Sequence, residues 1–512
     1  MHGKIPINLH KPLVEARLVH QPAVRLLVTF LAVAVAVSLH SPLLLTVIAA
    51  VTTAVMLWCG IPLKHIGQRL LLIVPFALGA VILLPFTIPG ETTFRLLGLS
   101  ASSQGISQSV LILLKIICAN LFLTALLSTT PMFDLIRSLR IMGIPSVMIE
   151  IITLMMRYFF LLTEEMASIL KAQKARGFST KGWFWSSRMY RRFGEMIGIL
   201  FVRAYRRSQR VYQSMSARGG FEGGLVRHSS INEDLSSEAE TAIELQRVSY
   251  AYSEHRWALS EVSLAVPKGV KVALMGANGA GKSTLISLLN GLEEPTRGEV
   301  RIFGQKIGPS NRDQIRLQVG VVYQDPDDQI FSHTIEEDVA FGPRNAGVSG
   351  SELEERVERA LKSVGMFELR KRSPFELSYG QKRRVAIAGV LAMEPRILIL
   401  DEPMAFLDPR SRDELQVLLD ELNRRKMTIL VTTHDVDFAA EWADQVILLQ
   451  RGKILASGST DLLFDDELIE RADLHLPRLA RPFRLLKGLE RAMPKTVEEA
   501  ACLIEARMNH EK

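Results

Sequence analysis

The sequence predicts a multidomain protein: an all-α polytopic membrane domain with cytoplasmic coupling helices, followed by an α/β domain built on a phosphate-binding loop. Three observations carry this reading. Four apolar stretches before about residue 130 each approach the ~20 residues that cross ~30 Å of hydrocarbon. Residues 269–284 read GVKVALMGANGAGKST, a glycine-rich loop that follows a buried-strand pattern and opens a helix. Charge is concentrated after Phe160, so the overall 48% hydrophobic and 22% charged composition averages two unlike halves. A nucleotide-binding loop and a membrane part on one polypeptide point to transport, although the loop alone would also fit kinases, GTPases and helicases.

A chain of 512 residues allows two or three domains. The formal net charge of +7 fits basic cytoplasmic faces of a membrane protein better than nucleic-acid binding, given the apolar segments. Cys59, Cys118 and Cys502 form no CxxC pair, so neither a disulfide scaffold nor a structural zinc is indicated. No signal-peptide core with a small-residue cleavage site precedes the first apolar stretch.

The predicted spans are about 23–39, 42–59, 69–88 and 105–127. The fourth carries Lys115 and Asn120; a charged head in lipid is costly, so Lys115 should face the protein interior or snorkel. Arg17, Arg25, Lys64, Arg69, Arg137 and Arg140 flank the spans on one side, against Arg95 alone on the other. The positive-inside rule then puts both ends of a four-helix unit in the cytoplasm. The expected location is the cell (inner) membrane, multi-pass, with the nucleotide-binding domain cytoplasmic.

Residues 145–176 and 184–218 mix apolar patches with Glu150, Arg157, Glu164, Glu165 and dense arginine. They read as long amphipathic helices, with a fifth span in the first as the alternative. Both end in the same word: Ala175-Arg176-Gly177 and Ala217-Arg218-Gly219. Glycine can end a helix in a left-handed conformation, alanine allows close approach, and arginine offers a rigid fork for a carboxylate. One copy would be an ordinary helix end; two copies 42 residues apart suggest a coupling surface. The segment FEGGLVRHSSINEDLSSEAE (221–240) reads as a flexible linker that marks a boundary near Thr241.

The two Ala-Arg-Gly words resemble the signature pair of the transmembrane coupling subunit of energy-coupling factor transporters, over about residues 10–220. That resemblance implies that Arg176 and Arg218 each dock one cytoplasmic helix into a groove on one ATPase. The further membrane helix many relatives have after the second motif is missing here, its place taken by the linker.

In the second half, a strand is predicted from Ile243 and another over Val270–Met275, leading into the loop. Its glycines (Gly276, Gly279 and Gly281, with Asn278 between) turn backbone N–H groups toward phosphate oxygens, and the next helix presents its positive end. Lys282 should reach the β- and γ-phosphates, with Ser283 on Mg²⁺ and Thr284 beside it. An apolar run over Arg396–Leu400 ends in Asp401-Glu402-Pro403. Asp401 suits the magnesium shell, and Glu402 is placed to polarise the attacking water.

From about 241 to 465 the chain resembles the ABC ATPases. The resemblance implies roles for Gln324 (γ-phosphate sensing and Mg²⁺), for Ser378, Gly380 and Gln381 of the signature Leu377-Ser378-Tyr379-Gly380-Gln381, for Asp408, and for the switch residue His434. Tyr252 matches the residue that stacks on adenine. Tyr379, where glycine is usual, and Met404, where threonine is commoner, depart from the pattern without removing a group the chemistry requires. In the family the signature closes the nucleotide site of another ATPase, so the resemblance implies ATP and Mg²⁺ as cofactors and a second ATPase domain as partner. A homodimer is expected because every residue for a symmetric pair of sites is kept; a separate ATPase subunit is the alternative.

Residues 325–342, DPDDQIFSHTIEEDVAFG, resemble the ATPases of cobalt and nickel systems, and residues after about Arg471 resemble that branch's helical C-terminal extension, which in relatives supports ATPase–ATPase contact. The implied activity is ATP-driven uptake of Co²⁺ or Ni²⁺ through a small multi-span substrate-binding membrane subunit. A vitamin such as biotin or a cobalamin precursor is the alternative cargo. An ABC exporter half-molecule is disfavoured by four spans where about six are needed, and a non-transport membrane ATPase remains a different class of reading. No nucleic-acid partner is expected.

Overall fold

The structure is a computed structural model that describes residues 21–89, 92–96, 99–175, 187–220, 240–253, 256–332, 334–486, 489 and 492–510. The chain divides into two compact units, Met1–Phe160 and Leu161–Lys512.

In the first unit, α1 (Pro22–Ser38), α2 (Pro42–Trp58), α3 (Leu63–Thr87) and α4 (Ser103–Thr129) occupy the four apolar stretches. Proline begins α1 and α2, where its missing N–H costs nothing. All three pack around α4. One shared cluster holds Ala36, Leu45 and Cys118, another Met56, Ile61, Ile66 and Leu121. Outward faces stay apolar, with Phe30, Leu43 and Leu71 at least 70% exposed, as helices solvated by lipid would be. Among the described residues, α4 is the helix long and apolar enough to cross a membrane; α1 and α2 are apolar but shorter. Lys115 faces the bundle: its ammonium donates to the Val37 carbonyl at 2.5 Å, in the last turn of α1. Asn120 donates to Arg69 O at 3.1 Å.

The connection between α3 and α4, which carries Arg95, contains an antiparallel hairpin, β1 (Thr92–Leu96) and β2 (Leu99–Ser102). Ser102 then caps α4, its hydroxyl accepting from Gly105 N. Strands of five and four residues are too short to show a clear alternation, so the hairpin left little mark in the sequence. A short helix, α5 (Met132–Ile141), follows, and then α6 (Ser146–Ala175).

The second unit includes α7 (Ser187–Ala217), then β3 (Thr241–Ser253), β4 (Arg256–Pro267), β5 (Lys271–Met275), α8 (Lys282–Leu289), β6 (Arg297–Ile302), β7 (Gln305–Lys306), α9 (Arg312–Gln318) and β8 (Val319–Val322). After these come α10 (Ile335–Asn345), α11 (Gly350–Ser363), α12 (Tyr379–Leu391), β9 (Ile397–Asp401), α13 (Pro409–Arg424), β10 (Thr428–Thr433), α14 (Val436–Trp442), β11 (Gln445–Gln450) and β12 (Lys453–Gly458). The core sheet has the order β12-β11-β5-β10-β9-β8, parallel except for the edge pair β11–β12. Its central strands are buried along nearly their whole length and mostly apolar, as strands covered on both faces are. A second, antiparallel sheet of order β4-β3-β6-β7 packs its apolar face against α8 and the core strands.

The unit division falls near Phe160, ahead of the boundary expected near Thr241, because α7 is seated on the α/β domain by its C-terminal end. Residues 221–239 of the expected linker lie outside the described residues. The C-terminal stretch adds α15 (Asp466–Arg471), α16 (Ala480–Phe483) and α17 (Val497–His510). Of the helical extension expected after about Arg471, the described residues between Leu474 and Leu486 give only the four-residue α16, which begins three residues after Pro477. Leu463, Phe464, Ile469 and Ala480 join a core with Ala273, Met275 and Ala439, so this stretch is bound to the parallel core sheet.

Candidate nucleotide and coupling sites

The loops after β5, β9 and β10 meet at one edge, because these parallel strands are adjacent and in register. Thr433 pairs with Met275, and Thr432 with Asp401. The carboxyl ends of such strands are where open α/β sheets bind ligands.

The loop after β5 requires its glycines. Gly276 has φ +149° and a Cβ there would sit 2.1 Å from Leu449 O; at Gly281, φ +110°, it would meet Ala258 O at 2.8 Å. Asn278 and Gly279 form the exposed tip. Lys282 lies over the loop, its ammonium donating to the carbonyls of Gly276 at 2.6 Å and Ala277 at 3.2 Å. Burial pushes its pKa below the ordinary lysine value, against the opposing pull of Glu402 and Asp401. Thr284 is buried, and its hydroxyl is 2.9 Å from that of the exposed Tyr252, which packs edge-on against Tyr250. Tyr252 therefore presents a ring face beside the phosphate loop.

Asp401 accepts from the Thr432 hydroxyl at 2.5 Å. Glu402 has φ +46°, its N–H held by both the carbonyl and hydroxyl of Thr432. Its carboxylate lies 3.0 Å from Nδ1 of His434. The glutamate side chain is 13% exposed and the histidine 74%, so a nearly buried carboxylate is held by an accessible imidazole.

Ser283, Tyr323, Gln324, Tyr379, Asp401 and Phe406 line one cleft of about 510 Å³. Gln324 follows β8 in a turn braced by Gln329, which accepts from Tyr323 N and donates to Val321 O. Its carbonyl receives the Tyr379 hydroxyl at 3.1 Å and the Arg383 guanidinium at 2.7 Å. The hydroxyl, carboxylate and amide oxygens of Ser283, Asp401 and Gln324 suit Mg²⁺, which takes few protein ligands and completes its shell with water and phosphate. No three His, Cys, Asp or Glu side chains gather as a metal site among the described residues.

Ser378, Gly380, Gln381 and Asp408 do not line this cleft. Ser378 and Gln381 form a capping box on α12, and Asp408 caps α13 through Ser411. Those bonds from Ser411 hold the Asp408 carboxyl below its ordinary pKa. One aromatic stands out beyond the sequence reading. Phe406, at φ +62° and 80% exposed, meets the Tyr379 ring edge-to-face at 6.0 Å. Phenylalanine in the left-handed region is strained, and the ring is not buried in return.

The second Ala-Arg-Gly word is buried on the ATPase. Ala217 and Arg218 are 4% and 1% exposed, and Gly219 ends the helix at φ +93°. Arg218 donates to Asp338 Oδ2 at 3.3 Å, reaches the Ala386 carbonyl at 3.5 Å and lies over the Phe331 ring. Asp338, wholly buried, spends its other oxygen on the N–H groups of Phe331 and Ser332. Asn345 donates to Arg218 O. At Gly389 a Cβ would lie 2.9 Å from the guanidinium, so glycine makes room for it. Two to three turns earlier, Arg207 and Arg210 of α7 pair with the buried Asp328. Burial raises the Asp328 pKa, and the two arginines oppose that shift.

Asp328, Phe331 and Asp338 all belong to the 325–342 segment, whose wording was noticed without a role for these residues. An arginine expected to be buried demands a buried carboxylate, and that was the available signal. Arg176 and Gly177 lie outside the described residues; Ala175 is the last residue of α6.

Fold and site together define a membrane-linked ABC ATPase. Residues 15–227 match the family described as CbiQ, cobalt transport protein, and residues 259–405 match the ABC transporter family. The energy-coupling factor transporter ATP-binding protein EcfA of Carboxydothermus hydrogenoformans is 47% identical over 51% of this chain and 96% of its own length. EcfA of Methanothermobacter thermautotrophicus is 46% identical over 50% of this chain and 84% of its own. The solved cbiO1 from Clostridium perfringens is 37% identical, covering 47% of this chain and 97% of that one, with a TM-score of 0.42. The chain belongs to the energy-coupling factor transporter ATP-binding proteins, here fused behind a CbiQ-type membrane domain. It is an ATP-hydrolysing transport ATPase.

Proposed function

We propose that this chain is the energy-coupling module of an importer that takes up Co²⁺ or Ni²⁺ through a separate, small multi-span membrane subunit. The coupling role rests on one observation above others: a buried arginine at the tip of α7 pairs with a buried ATPase carboxylate, while Arg210 and Gln213 of the same helix line the cleft holding Ser283, Gln324 and Asp401. The cargo rests on the match of residues 15–227 to a family described by cobalt transport. The membrane domain is multi-pass, with four spans that leave the ATPase in the cytoplasm.

In this reading the loop N–H groups and Lys282 hold the β- and γ-phosphates, Tyr252 stacks on adenine, and Thr284 orients that tyrosine. Ser283, Asp401 and Gln324 would hold Mg²⁺, which when bound neutralises phosphate charge. Glu402 orients and polarises the attacking water, and His434 fixes Glu402 and faces the γ-phosphate. Ser378, Gly380, Gln381 and Asp408 serve the site of a second ATPase domain, a reading supported by their not lining this chain's own cleft. Arg176 and Arg218 are the two coupling residues.

The test is to purify the complex with its substrate-binding subunit, reconstitute vesicles, and follow ATP-dependent uptake of labelled Co²⁺, Ni²⁺, biotin and a cobalamin precursor. Uptake of either metal supports the proposal. Uptake of a vitamin and neither metal overturns the cargo, and transport by this chain without a partner overturns the import mechanism.

A further inference from the structure

The seat of Arg218 has room for one occupant. Asp338 offers a single oxygen to it, the other being taken by Phe331 N and Ser332 N. The guanidinium is 1% exposed and fills the space a side chain at Gly389 would need. A second arginine could enter only by displacing the first, which would leave a buried carboxylate or a buried guanidinium unpaired.

The helix that fills this seat is tied to the same ATPase by residues 221–239, nineteen residues between Gly220 and Glu240. A short tether makes the second partner's effective concentration about millimolar. Docking within one chain therefore outcompetes exchange between chains at the concentrations of a membrane complex.

We propose that Arg218 docks in cis, each chain closing its own ATPase groove with its own α7, and that the Arg176 word is thereby left for an ATPase whose groove is open. Such a partner is an ATPase chain without a coupling helix of its own, carrying a buried carboxylate and a glycine where Asp338 and Gly389 stand. This rests on the coupling reading above, and it names which ATPase each motif serves.

A disulfide pair tests it in the full chain, because a Cβ at Gly219 would lie 3.1 Å from Asn345 Cβ, close to disulfide range. The background is Cys502→Ser, which removes the one exposed thiol among the described residues. The double variant Gly219→Cys/Asn345→Cys should oxidise to a cross-linked monomer. A mixture of differently tagged single variants, co-expressed, should give no covalent dimer. A dimer from the mixture would overturn cis docking while preserving the coupling contact. Absence of any cross-link, in protein that still binds ATP, would overturn the contact itself. Complementation gives a second measure that needs no cysteine at Gly219: Arg218→Ala and Asp338→Ala chains are co-expressed with the substrate-binding subunit. Docking in cis leaves no intact pair in either chain and no uptake; restored uptake would refute the proposal.

Discussion

Glu402 and His434 share one contact, so their losses should look different. Glu402→Gln keeps the size and a hydrogen-bonding group beside His434 but removes the negative charge proposed above to polarise water. It should leave ATP affinity near normal and cut hydrolysis by about 10²-fold or more. His434→Ala frees a nearly buried carboxylate from its anchor and should lower turnover with a smaller effect on affinity. Paired ATPase and nucleotide-binding assays check both; near-normal hydrolysis by the Glu402 variant would sink its assignment. Lys282 supplies a pH signature. Burial lowers its pKa from the ordinary value of 10.5, and a bound triphosphate raises it again, so ATP binding takes up a proton in alkaline solution. Affinity should therefore fall as pH rises toward 10, and Lys282→Arg should flatten that slope, as read by titration calorimetry. All three residues could be named as candidates from the sequence because each belongs to a short word or a resembled motif. Phe406 was not, since a positive φ leaves no mark on residue type once glycine is absent. Its strain, about 1–3 kcal/mol, outweighs an exposed aromatic pair worth about 0.5–1.5 kcal/mol. Phe406→Gly should thus leave thermal stability unchanged or slightly raised while lowering ATPase activity; a loss of stability with full activity would mean the ring serves packing alone.

At the level of elements, α7 and α12 form one joint. The sequence marks α7 by its closing word and α12 by its Ser-Tyr-Gly-Gln start, yet gives no sign that Gly389, far along α12, is where the two meet. Pair formation is a three-dimensional fact: Arg218, Asp338 and Gly389 are separated in sequence by more than a hundred residues on one side and about fifty on the other. Arg218→Ala strands the buried Asp338, and Asp338→Ala strands the buried Arg218. Each should weaken docking by about 3–5 kcal/mol, and the double substitution should cost less than their sum. Gly389→Ala should reproduce part of the loss by crowding the guanidinium. Helix release can be followed as increased proteolysis near Gly220, with ATP binding as the control. Additive losses in the double variant would show that the two side chains do not interact.

At the scale of the whole molecule, composition separated an apolar helical part from a charged part, because lipid and water select opposite surfaces, and the glycine-rich loop at 269–284 marked the second as nucleotide-binding. The division of the compact units escaped it, since α7 looks like a companion of α6 in sequence and is seated by a few charged residues on the ATPase. That seat also bears on assembly. Keeping every residue of a symmetric ATPase pair favours two copies of this chain. Two copies, however, would fill both grooves in cis and leave both Arg176 words without a partner. If each motif must hold an ATPase to transmit force, the complex contains one fused chain and one separate ATPase. The mass of the detergent-solubilised native complex distinguishes the two: one 57.2 kDa chain per assembly, with a second ATPase of smaller mass, is the expected result. Two fused chains in an uptake-competent complex would show that one coupling helix per ATPase suffices. In that case Arg176→Ala should leave uptake intact, whereas in the one-chain assembly it should abolish uptake and release the separate ATPase.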